Sequence, residues 1–217
     1  MRVKLNTVRS LENVYPRQFY NRNTLTVARE LVGASLCRRL PDGTLLHGRI
    51  VEVEAYRQDE PACHAARGVT PRCQVMFGPA GMSYVYFIYG SCYCLNVVTE
   101  PEGKGCAVLI RAVEGIGTNG PGKLCREWQI DKSHNGLDLC DPASELWICR
   151  PHEELKRSQV GVSTRIGIKV AEDLPSRFFL KGHKDVSGPK LLNGAGRRVK
   201  LPASGRLQPA AGAGRRR

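Results

Sequence analysis

The sequence predicts a single α+β domain built around an antiparallel sheet, and three observations carry that expectation. The chain has 217 residues, a length suited to one domain with a sizeable buried core. Its β-prone runs are short and adjacent in sequence, with few helical patterns between them. Two of those runs flank the pair Gly90-Ser91, the pattern of a β-hairpin with a II′-type turn.

Taken in order, Asn23 suits the N-cap of a helix carrying Leu25, Ala28, Leu31 and Val32 at helical spacing, with Gly33 as its stop. Pro41-Asp42-Gly43 reads as a turn between a strand near 35–39 and a second strand over 45–56. In the second strand the period is two. Val51, Val53 and Ala55 share one face, and Glu52, Glu54 and Tyr56 the other. Residues 61–71 read as a loop containing Cys63, His64 and Arg67. The hairpin runs follow over 83–89 and 92–99, then a strand over 106–113, a helix over 123–130 and a further strand over 161–170.

Lys and Arg number 33 against 20 Asp and Glu, a formal charge of +13 that points to a polyanionic partner. Ten of the basic residues and a single acid, Asp185, fall in 181–217. The expected organisation is therefore a folded domain over 1–190, close to charge balance. After it comes a basic, Gly/Ala-rich tail over 191–217 that cannot form a core and is predicted disordered. No apolar run reaches the length of a membrane span, so no membrane partner is expected. The first residues lack the apolar core of a signal peptide, and the absence of acids before Glu12 leaves an organelle-transit reading open. Nine cysteines without framework spacing indicate a reducing, intracellular compartment.

Two features could carry chemistry. Glu54 and Tyr56 project from one strand face; pattern alone favours a solvated face, but lining a pocket they would include a desolvated carboxylate able to act as general base. In the first hairpin run Tyr84, Tyr86 and Ile88 point one way, and Val85, Phe87 and Tyr89 the other. Tyr89 directly precedes the turn, where a tyrosine has the shape of a wedge for a base stack. Asn96 and Arg111 lie on the following strands, and each alone is most simply structural. Zinc-finger and zinc-deaminase spacings, G-x-S-x-G, Walker A and G-x-G-x-x-G are all absent, so neither a metal nor an organic cofactor is expected.

Ile50-Val-Glu-Val-Glu-Ala-Tyr56, Ala62-Cys-His64, Thr70-Pro-Arg72, Met76-Phe77, Tyr84-Val-Tyr86, Tyr89-Gly90, Asn96, Val108-Leu-Ile-Arg111 and Gly120-Pro-Gly-Lys-Leu124 together resemble the alkyladenine (3-methyladenine) DNA glycosylase family. The likeness runs in order from about Leu11 to Ser187. It implies a curved antiparallel sheet with flanking helices and a protruding hairpin that intercalates into DNA. It also implies a monofunctional glycosylase, acting as a monomer on duplex DNA with damaged purines of the 3-methyladenine or hypoxanthine type. By that resemblance Glu54 is the general base for a hydrolytic water, which Arg111 and the main-chain carbonyl of Ile166 help hold. Tyr56, His64 and Tyr86 sandwich the extruded base, Asn96 crowds the exocyclic amine of normal guanine, and Tyr89 fills the vacated stack. Thr70, Met76 and Tyr84 lie near the DNA backbone. The implied compartment is the nucleus in a eukaryote and the cytoplasm otherwise.

The chain departs from the family pattern at Cys73, where Asn is common, at Ser91 and Cys92 beside the wedge, and in the basic tail. Its segment 112–119 is short where the family carries a longer stretch with a helix. A second reading follows from that: a non-catalytic damaged-DNA-binding protein of the same fold. An RNA-binding or formyl-transfer-type module has little sequence support.

Overall fold

The computed structural model describes residues 13–88, 90–151, 153–189 and 193, together with the backbone of a two-residue strand, β1 (Arg2–Val3). One helical turn, α1 (Arg17–Tyr20), precedes helix α2 (Thr24–Leu31). Strands β2 (Ser35–Arg39), β3 (Leu45–Tyr56), β4 (Ser83–Ile88), β5 (Cys92–Val98) and β6 (Ala107–Val113) follow. Helix α3 (Pro121–Glu127) and strands β7 (Leu146–Cys149), β8 (Val160–Ser163) and β9 (Arg177–Leu180) complete the order. The strands form one curled antiparallel sheet with the path β4-β5-β6-β3-β2-β7. β3 also takes β1 and β9 as partners, and β9 pairs in turn with β8. The α+β, antiparallel expectation holds.

β3 is the strand on which the sheet turns. Its first part pairs with β2, from Leu45↔Arg39 to Arg49↔Ser35, and its second part pairs with β6 on one side and β9 on the other. Val51, Val53 and Ala55 enter the main core against Val27, Ala28 and Leu31 of α2, as their alternation predicts. Ile50 enters the same core although it neighbours Val51. The β3–β6 ladder absorbs the slip as a bulge: Ile50 faces Val113, Glu52 faces Ala112 and Val53 faces Ile110, leaving Arg111 without a direct cross-strand partner. A bulge bends a strand and re-aims the side chains beside it. On the opposite face a smaller cluster gathers Cys63, Ala65, Cys73, Met76, Tyr84, Val98 and Ala107, with Tyr56 and Tyr86 packed against it.

α2 begins where its cap demands. The Asn23 side-chain oxygen accepts from the backbone N–H groups of Leu25 (3.1 Å) and Thr26 (3.3 Å), whose i−4 carbonyls lie outside the helix. α3 begins two residues earlier than its pattern suggests because Pro121 supplies the preset φ of a first helical position. β4 and β5 pair from Ser83↔Val97 to Ile88↔Cys92, so three residues rather than two connect them. The Ser91 N–H closes a turn on the Ile88 carbonyl (2.9 Å), and Gly90 sits third in it with φ +74°. The II′ expectation, with Gly second, is therefore corrected. Tyr89 lies outside the described residues, as does the tail 191–217 apart from Asn193.

The expected strand over 161–170 is also corrected. It ends at Ser163, and the chain then leaves the sheet because Arg165 and Ile166 bond to β3 and the loop after it. The short segment 112–119 closes on itself: the Thr118 hydroxyl donates to the Val113 carbonyl (2.6 Å), the Val113 N–H to the Thr118 carbonyl (3.3 Å), and Ala112 bridges Asn119. β6 thereby runs into α3, whose Leu124 and Cys125 are buried. Asn23→Ala should lower the unfolding free energy by about 1 kcal/mol, read as an earlier urea midpoint at unchanged slope; an unmoved midpoint would show that the cap contributes nothing.

Candidate active site

Glu52 and Glu54, two residues apart on one face of β3, are both fully buried at 0% exposure. A buried carboxylate is tolerated only when paired and hydrogen-bonded. Glu52 accepts at Oε1 from Arg111 Nε (3.1 Å) and Arg177 Nε (2.6 Å), and at Oε2 from the Ser187 N–H (2.7 Å). Glu54 accepts at Oε1 from the Ile166 N–H (2.8 Å), with Arg111 Nη1 at 3.2 Å, and at Oε2 from the Tyr56 hydroxyl (2.9 Å). Arg111 thus joins the two acids, and the β6 bulge is what turns it toward both. Burial by itself would lower the Arg111 pKa; the charges of Glu54 and then Glu52 outweigh it and raise the guanidinium above its ordinary value. Arg177, wholly buried, also donates to Ser163 Oγ (2.8 Å), the Ser187 carbonyl (3.0 Å) and Asn193 Oδ1 (2.7 Å).

Beside Glu54 opens a pocket of about 110 Å³, lined by Tyr56, His64, Met76, Tyr84, Tyr86 and Asn96 with Ala62, Ala107 and Ile168. That is well under the roughly 300–1,000 Å³ of drug-sized sites and suits a small flat ligand. The His64 ring meets Tyr86 edge-on at 4.6 Å and hydrogen-bonds the Tyr84 hydroxyl through Nδ1 at 2.9 Å. Tyr84 and Tyr86 are tilted neighbours at 5.3 Å. Asn96 is fixed by donating to the Tyr84 carbonyl (3.0 Å). Tyr56 belongs to both halves of the site, since its ring lines the pocket and its hydroxyl bonds Glu54. Burial, and next the Glu54 charge, raise the Tyr56 pKa, so the hydroxyl stays protonated and donates. The Arg72 guanidinium lies 5.2 Å from the Tyr86 ring centre. Desolvation and then Arg72 lower the His64 pKa from its ordinary value, so the ring is neutral at pH 7.

The structure brings together Glu54, Arg111, Tyr56 and Ile166, and places His64, Tyr86 and Asn96 around the adjoining pocket. At Ile166 the backbone N–H donates to Glu54. Met76 and Tyr84, expected near the DNA backbone, have side chains buried to 2% and 1% exposure inside the pocket wall. Thr70 is exposed outside the pocket, its hydroxyl paired with Cys73 Sγ at 3.1 Å. Sequence reasoning missed Glu52, Arg165, Arg177 and Ser187 as parts of the site. Glu52 shares the face of Glu54 and could have been picked out; the others act through partners far away in the sequence.

The fold and this site define a class that comparison with known proteins specifies. The family model for methylpurine-DNA glycosylase (MPG) matches residues 18–117 and 117–184, two stretches that meet inside the short segment 112–119. A protein of Carboxydothermus hydrogenoformans named "Putative 3-methyladenine DNA glycosylase" is 45% identical over 189 residues, covering 79% of this chain and 97% of its own length. Proteins of the same name from Myxococcus xanthus and Methanoculleus marisnigri are 43% and 44% identical, covering 91% and 79% of this chain and 100% and 97% of their own. The chain belongs to the methylpurine-DNA glycosylase family. These relatives are bacterial and archaeal, so they lend no support to the nuclear alternative. Among the described residues no helix is long and apolar enough to cross a membrane.

Because the folded state holds His64 below the pKa it has in the unfolded chain, the unfolded chain takes up the proton first on acidification. The contribution of neutral His64 is complete above about pH 6.5 and is lost as pH falls below that value. Thermal melts from pH 7 to pH 5 should show a decline that is smaller in His64→Gln; equal declines would remove His64 from the pH response.

Proposed function

We propose that the protein turns a damaged purine out of duplex DNA into the aromatic pocket and hydrolyses its N-glycosidic bond with a water activated by Glu54. The observation that carries this reading is that Glu54 is hydrogen-bonded to Tyr56, a residue that lines the pocket. A carboxylate offers about four lone-pair directions. Ile166, Arg111 and Tyr56 occupy three, and a water brought in with the flipped nucleotide would take the fourth, on Oε2. As that water attacks the deoxyribose C1′, Glu54 takes its proton, and the base leaves with the electrons of the broken C–N bond. Before this step Arg111 and Arg177 balance both acids, so the groups around Glu54 are fixed in advance of the proton transfer. The attacking group is water and not an amine, so no Schiff base forms, the strand is not cut, and the product is an abasic site.

Flipping costs a few kcal/mol, least for damaged pairs, and stacking on aromatic walls such as Tyr56 and Tyr86 returns about 1–3 kcal/mol per base. Stacking is tolerant of base identity, which suits a range of purine lesions. A 3-methyladenine base is cationic and leaves readily, as the names of the relatives suggest for the lesion class. A neutral lesion such as hypoxanthine needs a proton on the leaving base. Asn96, locked by the Tyr84 carbonyl, acts as the side chain that rejects the guanine amine. Tyr89 serves as the wedge that replaces the flipped base, and exposed Thr70 grips the DNA backbone. The reaction needs no metal or organic cofactor, and the monomer carries every group named. Binding without turnover is less well supported, because segment 112–119 closes in hydrogen bonds and Arg111 keeps both carboxylates.

Glu54→Gln should reduce excision of hypoxanthine or 3-methyladenine by about 10²–10⁴-fold while lesion binding stays within a few-fold; excision at the parental rate would exclude Glu54 as the base. Tyr89→Ala should weaken capture of lesions in duplex far more than binding to undamaged DNA, measured by competition at fixed salt. Equal losses on both would end the wedge assignment.

A further inference from the structure

Arg165 stands one residue before Ile166, whose N–H bonds Glu54, yet the chemistry described so far does not use it. Its side chain is buried at 5% exposure, and its guanidinium carbon lies 4.6 Å over the Tyr56 ring centre. It is held rigidly: Nη1 donates to the Ala55 carbonyl (2.9 Å) and to Glu60 Oε1 (2.5 Å), and Nη2 to the Ala171 carbonyl (3.3 Å). Two buried atoms of this pair, Arg165 Nε and Glu60 Oε2, have no hydrogen-bond partner. Tyr56 lines the pocket, and the guanidinium stacked on its ring does not.

We propose that Arg165 is a specificity-determining positioning residue that biases the pocket away from cationic and toward neutral purine lesions by polarising Tyr56 from behind. The proposal rests on the reading of the pocket as the base site. An aromatic face attracts a cation through its negative quadrupole. A guanidinium on one face draws that electron density toward itself and offers less to a second cation on the other face. The two positive charges also repel directly across a ring in a poorly screened interior. A cationic alkylated base therefore gains less from Tyr56 than it would from an unbacked tyrosine, whereas a neutral purine keeps its stacking. Glu60 offsets part of the Arg165 field from the edge of the guanidinium, so the two residues of the ion pair pull the selectivity in opposite directions.

The test is a ratio of affinities measured in the Glu54→Gln background, where turnover is removed: the dissociation constant for a hypoxanthine duplex divided by that for a duplex carrying a cationic N-methylated purine. Arg165→Met should raise this ratio about three- to ten-fold, the span of a partly desolvated cation–π contact. Glu60→Gln should lower it about two- to five-fold. Arg165→Lys, which keeps the charge, should stay close to the parental ratio. A purely structural role would weaken binding of both lesions together and leave the ratio unmoved. Ratios within two-fold of the parent for both Arg165→Met and Glu60→Gln, or shifts of the two in the same direction, would overturn the proposal. If Arg165→Met does not fold, the sign of the Glu60→Gln shift decides. Failure of the parental chain to excise either base would count against the glycosylase reading itself, a result separate from any change in the ratio.

Discussion

Two carboxylates placed two residues apart on a strand face that folding removes from water set the terms for the rest of the molecule. Each buried ion costs several kcal/mol of lost hydration, and only close, well-bonded cations offset that. Arg111 and Arg177 supply the charge, and the Tyr56 hydroxyl with the backbone N–H groups of Ile166 and Ser187 supplies the remaining donors. Four separate stretches of chain are therefore drawn onto β3 at one place. The β6 bulge at Arg111 opposite Glu52 and Val53, the pairing of β9 along β3 and the early exit of the chain after β8 all serve that convergence.

Tyr56 links this charged centre to the apolar slot beside it. Its hydroxyl bonds Glu54, its ring lines the pocket, and the Arg165 guanidinium stacks on that ring. A side chain held at both ends and on one face has little rotamer freedom left to lose when a ligand stacks on it, which is the advantage of a preorganised wall. The same arrangement means that the wall and the carboxylate cannot shift independently, so the stacked ligand and the activating group keep a fixed relation.

Much of this was legible in the residues. The strand limits 35–39 and 45–56 follow from a turn signal and a clean alternation, and the cap of α2 follows from one asparagine. The grouping of Glu52, Glu54 and Tyr56 on one face was equally plain, but alternation cannot say whether a polar face meets water or a second core. That answer depends on arginines 59 and 125 residues further along the chain, for which no local pattern exists. β7 and β9 were missed because four residues are too few to show a period, and Arg177 reads locally as a charge on a strand. The supposed strand over 161–170 failed for the converse reason. Its residues alternate acceptably, but Arg165 and Ile166 have better partners away from the sheet. Recognition of Arg111 and Ile166 came from the family pattern and not from spacing.

The bond from the Ser187 N–H to Glu52 spans 135 positions, and that from Arg177 spans 125. During vectorial synthesis the ribosome delivers β3 and both acids long before the residues that neutralise Glu52. Until the last of these emerges, the nascent strand carries carboxylates that favour solvent over the interior, so the central strand cannot settle early. Commitment to the native sheet is thus deferred until nearly the whole domain is present, as expected for a topology dominated by distant contacts. A polypeptide halted before residue 177 would expose an unfinished edge of β3 instead of closing over a defective centre, and would be open to proteolysis rather than stored as a folded but inert protein.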